Sequence, residues 1–214
     1  HWALETKFGG PRGGLDVPQA RVSLLTDPVL QAATNLTAST ASQPQRGGLG
    51  LRSPANSMRA MMLCPEIAQA WRNYWGKVRT ASKIDPELNL QVSFAVSMAN
   101  GCRYCTLHQV QGLRRLGVSP TKLVAMKKDD SALTPKELAA VRFARKVTSD
   151  PHSVSDRDYQ DLSEVLGHDS ALGVVLQTCT FAFMNRFTDG LHLPSEDEAI
   201  RTYREVYGRD FARN

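Results

Sequence analysis

The chain has 214 residues, 42% of them hydrophobic and 22% charged, with a net charge of +5. That length suits one domain, or one domain with an extension, and can bury a core without covalent staples. The scattered basic residues, the absence of any ~20-residue apolar run and a total of only four cysteines argue against a nucleic-acid partner, a membrane span and a disulfide scaffold.

Residues 1–53 read as an irregular N-terminal arm, rich in Gly, Pro, Ser, Thr and Gln. One short helix is predicted within it, over "TDPVLQAATNL", with Thr26 or Asp27 as cap and Pro28 in the first turn. The Asn35-Leu36-Thr37 sequon reads as a chance match. Residues 54–214 read as a helical domain. Pro65 opens a helix in which Ile67, Trp71, Tyr74, Trp75 and Val78 recur at spacings of three and four. Asp85 caps a largely apolar, buried helix with Pro86 and Glu87 in its first turn, and Asn100-Gly101 ends it. The next helix runs from about Cys102 to Leu116, with Leu107, Val110, Leu113 and Leu116 as its buried side and Gly117 as its stop. Ser119, Thr134 (boxed with Glu137) and Ser155 (boxed with Asp158) each cap a further helix. Gly167 stops the last of these. The long apolar stretch "SALGVVLQTCTFAFMNRFTDGL" is the expected core helix, and "SEDEAIRTYREVY" closes the chain. No strand alternation is bounded by hairpin signals, so the class is all-α with seven to nine helices. Cys64 and Cys179 stand in apolar surroundings and read as small buried hydrophobes.

"NGCRYCTLHQ", residues 100–109, carries the chemistry. Cys102, Cys105 and His108 or Gln109 share a helical face near the first turns. A helix start favours an anion, and a thiolate there has a depressed pKa. Thiols at i and i+3 can close a disulfide. Three readings stand: a redox dithiol, a zinc site built on Cys102, Cys105 and His108, or two packed structural cysteines. The zinc site needs a fourth ligand, and His152, His168 and His192 stand alone in the sequence.

"VSMANGCRYCTLHQ" resembles the core motif of the carboxymuconolactone decarboxylase family, the alkyl hydroperoxidase D-like proteins. The likeness extends to "PANSMRAMMLCPEIAQAWRNYW", "LTPKELAAVRFARKVTSDPHSVSDRDYQDL" and "FAFMNRFTDGLHLP", over about residues 17–200. The resemblance implies an alkyl hydroperoxidase D-like helical bundle assembled as a trimer or hexamer. It implies a thiol-dependent, peroxidase-like oxidoreductase that reduces hydroperoxides through a CxxC dithiol/disulfide cycle. The partners would be a hydroperoxide substrate and a thiol reductant, either protein or small thiol, with no cofactor and no resident metal. The alternatives are a lyase or hydrolase on a small lactone or carboxylic acid, as in the decarboxylase branch, or a non-enzymatic metal-binding or redox-sensing oligomer. With no signal-like opening stretch, the expected location is the cytoplasm.

By the family pattern Cys105 is the attacking thiol and Cys102 the resolving one, whereas the helix-dipole argument picks Cys102. The family's relay glutamate falls at Leu90 and its relay histidine at Gln109. Leucine cannot relay a proton and glutamine is a poor base. His108, one residue earlier, is the expected proton shuttle. Gln109, Gln91 and Glu87 are the other possible relay residues.

Overall fold

The computed structural model describes residues 20–30 and 55–211, and among these no strand occurs. The short helix expected over 26–36 is seen at residues 27–30. The rest of it, the Asn35 sequon and the arm boundary near residue 53 lie outside the described residues. From residue 56 onward the helices are α1 (Asn56–Met61), α2 (Pro65–Ala81), α3 (Pro86–Ala99), α4 (Arg103–Arg115), α5 (Pro120–Lys128), α6 (Pro135–Ser149), α7 (Asp156–Leu166), α8 (His168–Gly190) and α9 (Asp197–Tyr207), with a 3₁₀ turn at Pro151–Ser153.

Helix starts follow the local chemistry. The Asp85 carboxylate accepts from Leu88 N–H, the Ser119 hydroxyl from Lys122 N–H, and Thr134 and Ser155 form reciprocal boxes with Glu137 and Asp158. Each satisfies donors that a helix start leaves unpaired. Gly101, at φ 65°, lets the chain reverse after α3, so that Cys102 N–H donates to Ser97 O at 2.9 Å. That left-handed turn sets the first residues of α4 back against the end of α3.

α3 lies at the centre, packed against α4, α6 and α8, while α9 packs on α4 and α5. Most of its residues are buried, which is why its apolar pattern shows little one-sidedness. One stripe of it is polar. Asn89, Ser93 and Ser97, spaced four apart, are buried and face Gln177 and Asn185 of α8. Two apolar clusters flank this seam. One contains Val92, Val96, Phe143, Val174 and Phe181. The other contains Phe94, Leu107, Leu113, Leu123 and Tyr203.

Four sequence expectations change. Leu116 is 48% exposed because it lies past the last turn of α4. Ile67 and Tyr74 are largely exposed on α2, which meets α8 through Trp71 stacked on Phe183, Trp75 against Phe181 and the Tyr74 hydroxyl bonded to that of Thr180. Cys64 and Cys179 are exposed, the first as the residue before α2 and the second on the outer side of α8. α8 is buried on one side only, since Leu172, Leu176 and Phe183 also face outward.

Candidate active site

Cys102 is the N-cap of α4 and Cys105 sits one turn in, so Cys105 N–H donates to Cys102 Sγ at 3.4 Å. Thr188, near the end of α8, places its hydroxyl 3.4 Å from both sulfurs. Both cysteines are buried thiols. Two surface depressions, of about 300 and 340 Å³, lie on other faces and neither is lined by a cysteine.

The two thiols divide their protons unequally. Burial opposes ionisation of Cys105, but hydrogen bonds from Cys102, Thr188 and Asn185, with the charge of His108, outweigh it and bring its pKa below the ordinary thiol value. Cys102 is pushed far up, because its hydrogen bond to Cys105 holds its proton, reinforced by burial and by Asp189. The N-cap position alone favours the opposite order. It is overruled because the donors and the cation gather at Cys105. A thiolate on Cys105 beside a neutral Cys102 is the arrangement this site favours.

His108 is 1% exposed and its ring stacks on Tyr104 at 4.2 Å between centroids. Nδ1–H donates to Tyr104 O at 2.7 Å, and Nε2 lies 2.5 Å from Glu196 Oε2. With Nδ1–H on a carbonyl, Nε2 meets a carboxylate best when it too carries a proton. Burial opposes the charge on His108, but Glu196 outweighs it and raises the imidazole's pKa. The same contact lowers the Glu196 carboxyl against its own burial. Glu196 Oε1 accepts from Asn56 N–H at 2.6 Å and from Tyr104 O–H at 3.2 Å, and Tyr104 Oη accepts from Ser57 N–H at 3.1 Å. The first turn of α1 and the N-cap of α9 thus meet over α4.

Cys102, Cys105 and His108 are therefore brought together on the first turns of α4. Gln109 lies on the same helix, buried, with its Oε1 unbonded among the described residues. Gln91 and Glu87 are placed in a separate cluster with Lys122 and Glu137, at 2.6–2.9 Å. Leu90 packs in the α4–α9 cluster. Glu196, Thr188 and Asn185 are the site residues that the sequence reading missed. In the sequence Glu196 is only one of several acids in "SEDEAIRTYREVY", the closing helix. Asn185 lay within "FAFMNRFTDGLHLP", where a buried asparagine in an apolar helix was the available signal. Among the described residues, no group of three or more His, Cys, Asp and Glu side chains is placed to hold a metal ion. None of the described helices is long and apolar enough to cross a membrane.

An all-helical core with a buried Cys-x-x-Cys at a helix start defines an alkyl hydroperoxidase D-like fold. Residues 65–146 match the model of the carboxymuconolactone decarboxylase family, so the resemblance carried by the motif holds. A cysteine-to-alanine variant of the debrominase Bmp8, in complex with 2,3,4-tribromopyrrole, superposes with a TM-score of 0.75 at 19% identity, over 89% of this chain and 100% of that one. A peroxidase-related protein from Silicibacter sp. gives 0.67 at 18% identity, over 86% and 93%. An alkylhydroperoxidase AhpD core protein from Ralstonia eutropha gives 0.66 at 20% identity, over 85% and 95%. No curated protein matches the chain.

Proposed function

We propose that this protein is a thiol-dependent oxidoreductase that reduces hydroperoxides, with Cys105 as nucleophile and Cys102 as resolving thiol. The observation that carries this reading is the unequal pair. A thiolate favoured on Cys105 is bonded to a protonated Cys102, beside a histidine held cationic by Glu196. The thiolate is the reactive form of cysteine.

Cys105 S⁻ attacks the outer oxygen of R–O–O–H, and the O–O bond breaks. Cys105 becomes a sulfenic acid, and the leaving alkoxide takes the Cys102 proton to give R–OH. Cys102 S⁻ then attacks the Cys105 sulfur; the disulfide forms, and hydroxide leaves as water with a proton from solvent. Two thiol equivalents from a reductant restore the pair. Both nitrogens of His108 are engaged, so the geometry supports a fixed positive charge that favours the thiolate, rather than the proton shuttle expected from the sequence.

Rapid mixing of reduced protein with an organic hydroperoxide tests this. The expected result is a Cys102–Cys105 disulfide with one alcohol released per disulfide. Cys105→Ser should abolish the reaction, and Cys102→Ser should stop at a trappable sulfenic acid. A Cys105→Ser protein that reacts as fast as wild type overturns the reading. Turnover insensitive to thiol alkylation points instead to the lyase or hydrolase class. The likeness to a debrominase favours one other dithiol reaction, in which C–Br becomes C–H as the pair forms a disulfide and bromide leaves; measured bromide release separates it.

We also infer that copies of this chain assemble through the outer faces of α2 and α8. Leu172, Leu176, Cys179 and Phe183 recur at spacings of four, three and four on one exposed side of α8, and Trp71 stacks on Phe183 at 4.6 Å. That spacing is the seam of a helix pair, and a second copy offers the same seam in return.

A further inference from the structure

Thr188 is buried in the last turns of α8, and its hydroxyl reaches both sulfurs, 3.4 Å from each. The same hydroxyl donates back to Met184 O at 3.0 Å, with Asn185 O as a second acceptor at 3.2 Å. A hydroxyl has one hydrogen and two lone pairs, whereas a carbonyl oxygen can only accept. While the hydrogen points to the carbonyls, the sulfurs meet only lone pairs. That suits S–H donors and opposes a thiolate, which has no hydrogen to give. The hydroxyl bonds an ionised sulfur by one motion, a rotation of its hydrogen away from the carbonyls. Those carbonyls stay paired, because the ladder of α8 still gives each a backbone N–H. Cys102 and Cys105 are 0% and 4% exposed, so solvent supplies few donors in its place. The equal distances leave neither sulfur favoured by this group.

We propose that Thr188 is a catalytic residue of the pair, a single hydroxyl donor that serves each sulfur in turn as it becomes the thiolate. The inference deepens the dithiol reading and rests on it. Before attack the hydrogen points to Cys105 S⁻. Once the alkoxide has taken the Cys102 proton, the hydrogen turns to Cys102 S⁻, which also accepts the Cys105 N–H at 3.4 Å. Closing the disulfide consumes that thiolate, and the hydrogen returns to Met184 O. A donor already in place where charge develops stabilises it without rearranging the site. The hydrogen bond of Thr188 favours the ionised form of both cysteines.

The test uses full-length protein carrying Cys64→Ser and Cys179→Ser, which removes the two exposed thiols. Thiolate ultraviolet absorbance is titrated against a Cys105→Ser control, with Thr188→Val as the variant of equal shape. Losing one hydrogen bond to a buried anion should raise the Cys105 midpoint by about 1 pH unit. Thr188→Ser keeps the hydroxyl and should hold the midpoint near wild type. His108 and Asp189, whose charges also act on the pair, are unchanged in every variant. The second sulfur is read with dipyridyl disulfide, which releases one thiopyridone when Cys105 attacks and another when Cys102 closes the disulfide. Below the midpoints, Thr188→Val should slow each release about 3-fold, since a roughly tenfold smaller thiolate fraction is partly offset by a more nucleophilic thiolate. A lower melting temperature with an unmoved midpoint in Thr188→Val overturns the proposal, since a structural role alone predicts that result. So does a midpoint that moves as far in Thr188→Ser as in Thr188→Val. A second release that keeps its rate while the first slows overturns the service to both sulfurs. Shifts as expected in a protein that leaves hydroperoxides intact uphold the donor and reject only the choice of substrate.

Discussion

His108 and Glu196 lie far apart in the sequence and 2.5 Å apart in the fold. His108 was legible as a site residue because the motif contains it. Glu196 was not, because its contact exists only once α9 packs on α4. The pair makes a pH-dependent contribution whose window follows from the two shifts. His108 lies above its ordinary 6.5, so its part is fully present below 6.5 and fades as pH rises through the raised value. Glu196 lies below its ordinary 4.5, so its part is present above 4.5 and fades as pH falls through the depressed value. Glu196→Gln keeps an oxygen for Asn56 N–H but removes the charge. It should destabilise by about 2 kcal/mol between roughly pH 4.5 and 6.5, and progressively less in alkaline buffer. Melting curves across that range check it; a difference that stays flat with pH would show that the ion pair contributes nothing. The cysteines show the same division. Their helix placement was legible from spacing, but which one ionises depends on Thr188, Asn185 and His108, partners that spacing does not reveal.

At the scale of elements, caps were read well because they are local. Asp85, Ser119, Thr134 and Ser155 each bond within three residues of themselves. Faces were read less well, because periodicity says that a side is apolar without saying what it meets. Gly173 illustrates the limit. A glycine inside a helix reads as a weakness worth up to about 1 kcal/mol against alanine. Here α8 passes so close to the end of α2 that an added Cβ would lie 2.1 Å from the Ser82 carbonyl oxygen. That neighbour is backbone and cannot rotate away. Gly173→Ala should therefore destabilise by about 1–3 kcal/mol despite its better helix propensity. Chemical denaturation checks this, and a stabilised variant would mean that the two helices can separate freely.

At the scale of the whole molecule, the all-helical class and the family resemblance were legible from a single chain. The outward apolar face was not, since an exposed apolar stripe reads in sequence like one that faces a core. Leu176→Lys places a charge in the middle of that face, away from the thiols. It should shift the mass measured by light scattering toward the single chain at micromolar concentration, while the isolated fold persists by circular dichroism. An unchanged mass would overturn the assignment of this face as a contact between copies. A last consequence follows from the double duty of Cys102. Its sulfur receives the Cys105 N–H that starts α4 and, in the proposed cycle, supplies the electrons for the second step. Once that sulfur is bonded to Cys105 it is a poorer acceptor, and the first turn of α4 loses part of its anchor. The oxidation state is thereby recorded in the backbone: amide hydrogens at Tyr104–Thr106 should exchange faster in the disulfide form, a signal visible without following substrate at all.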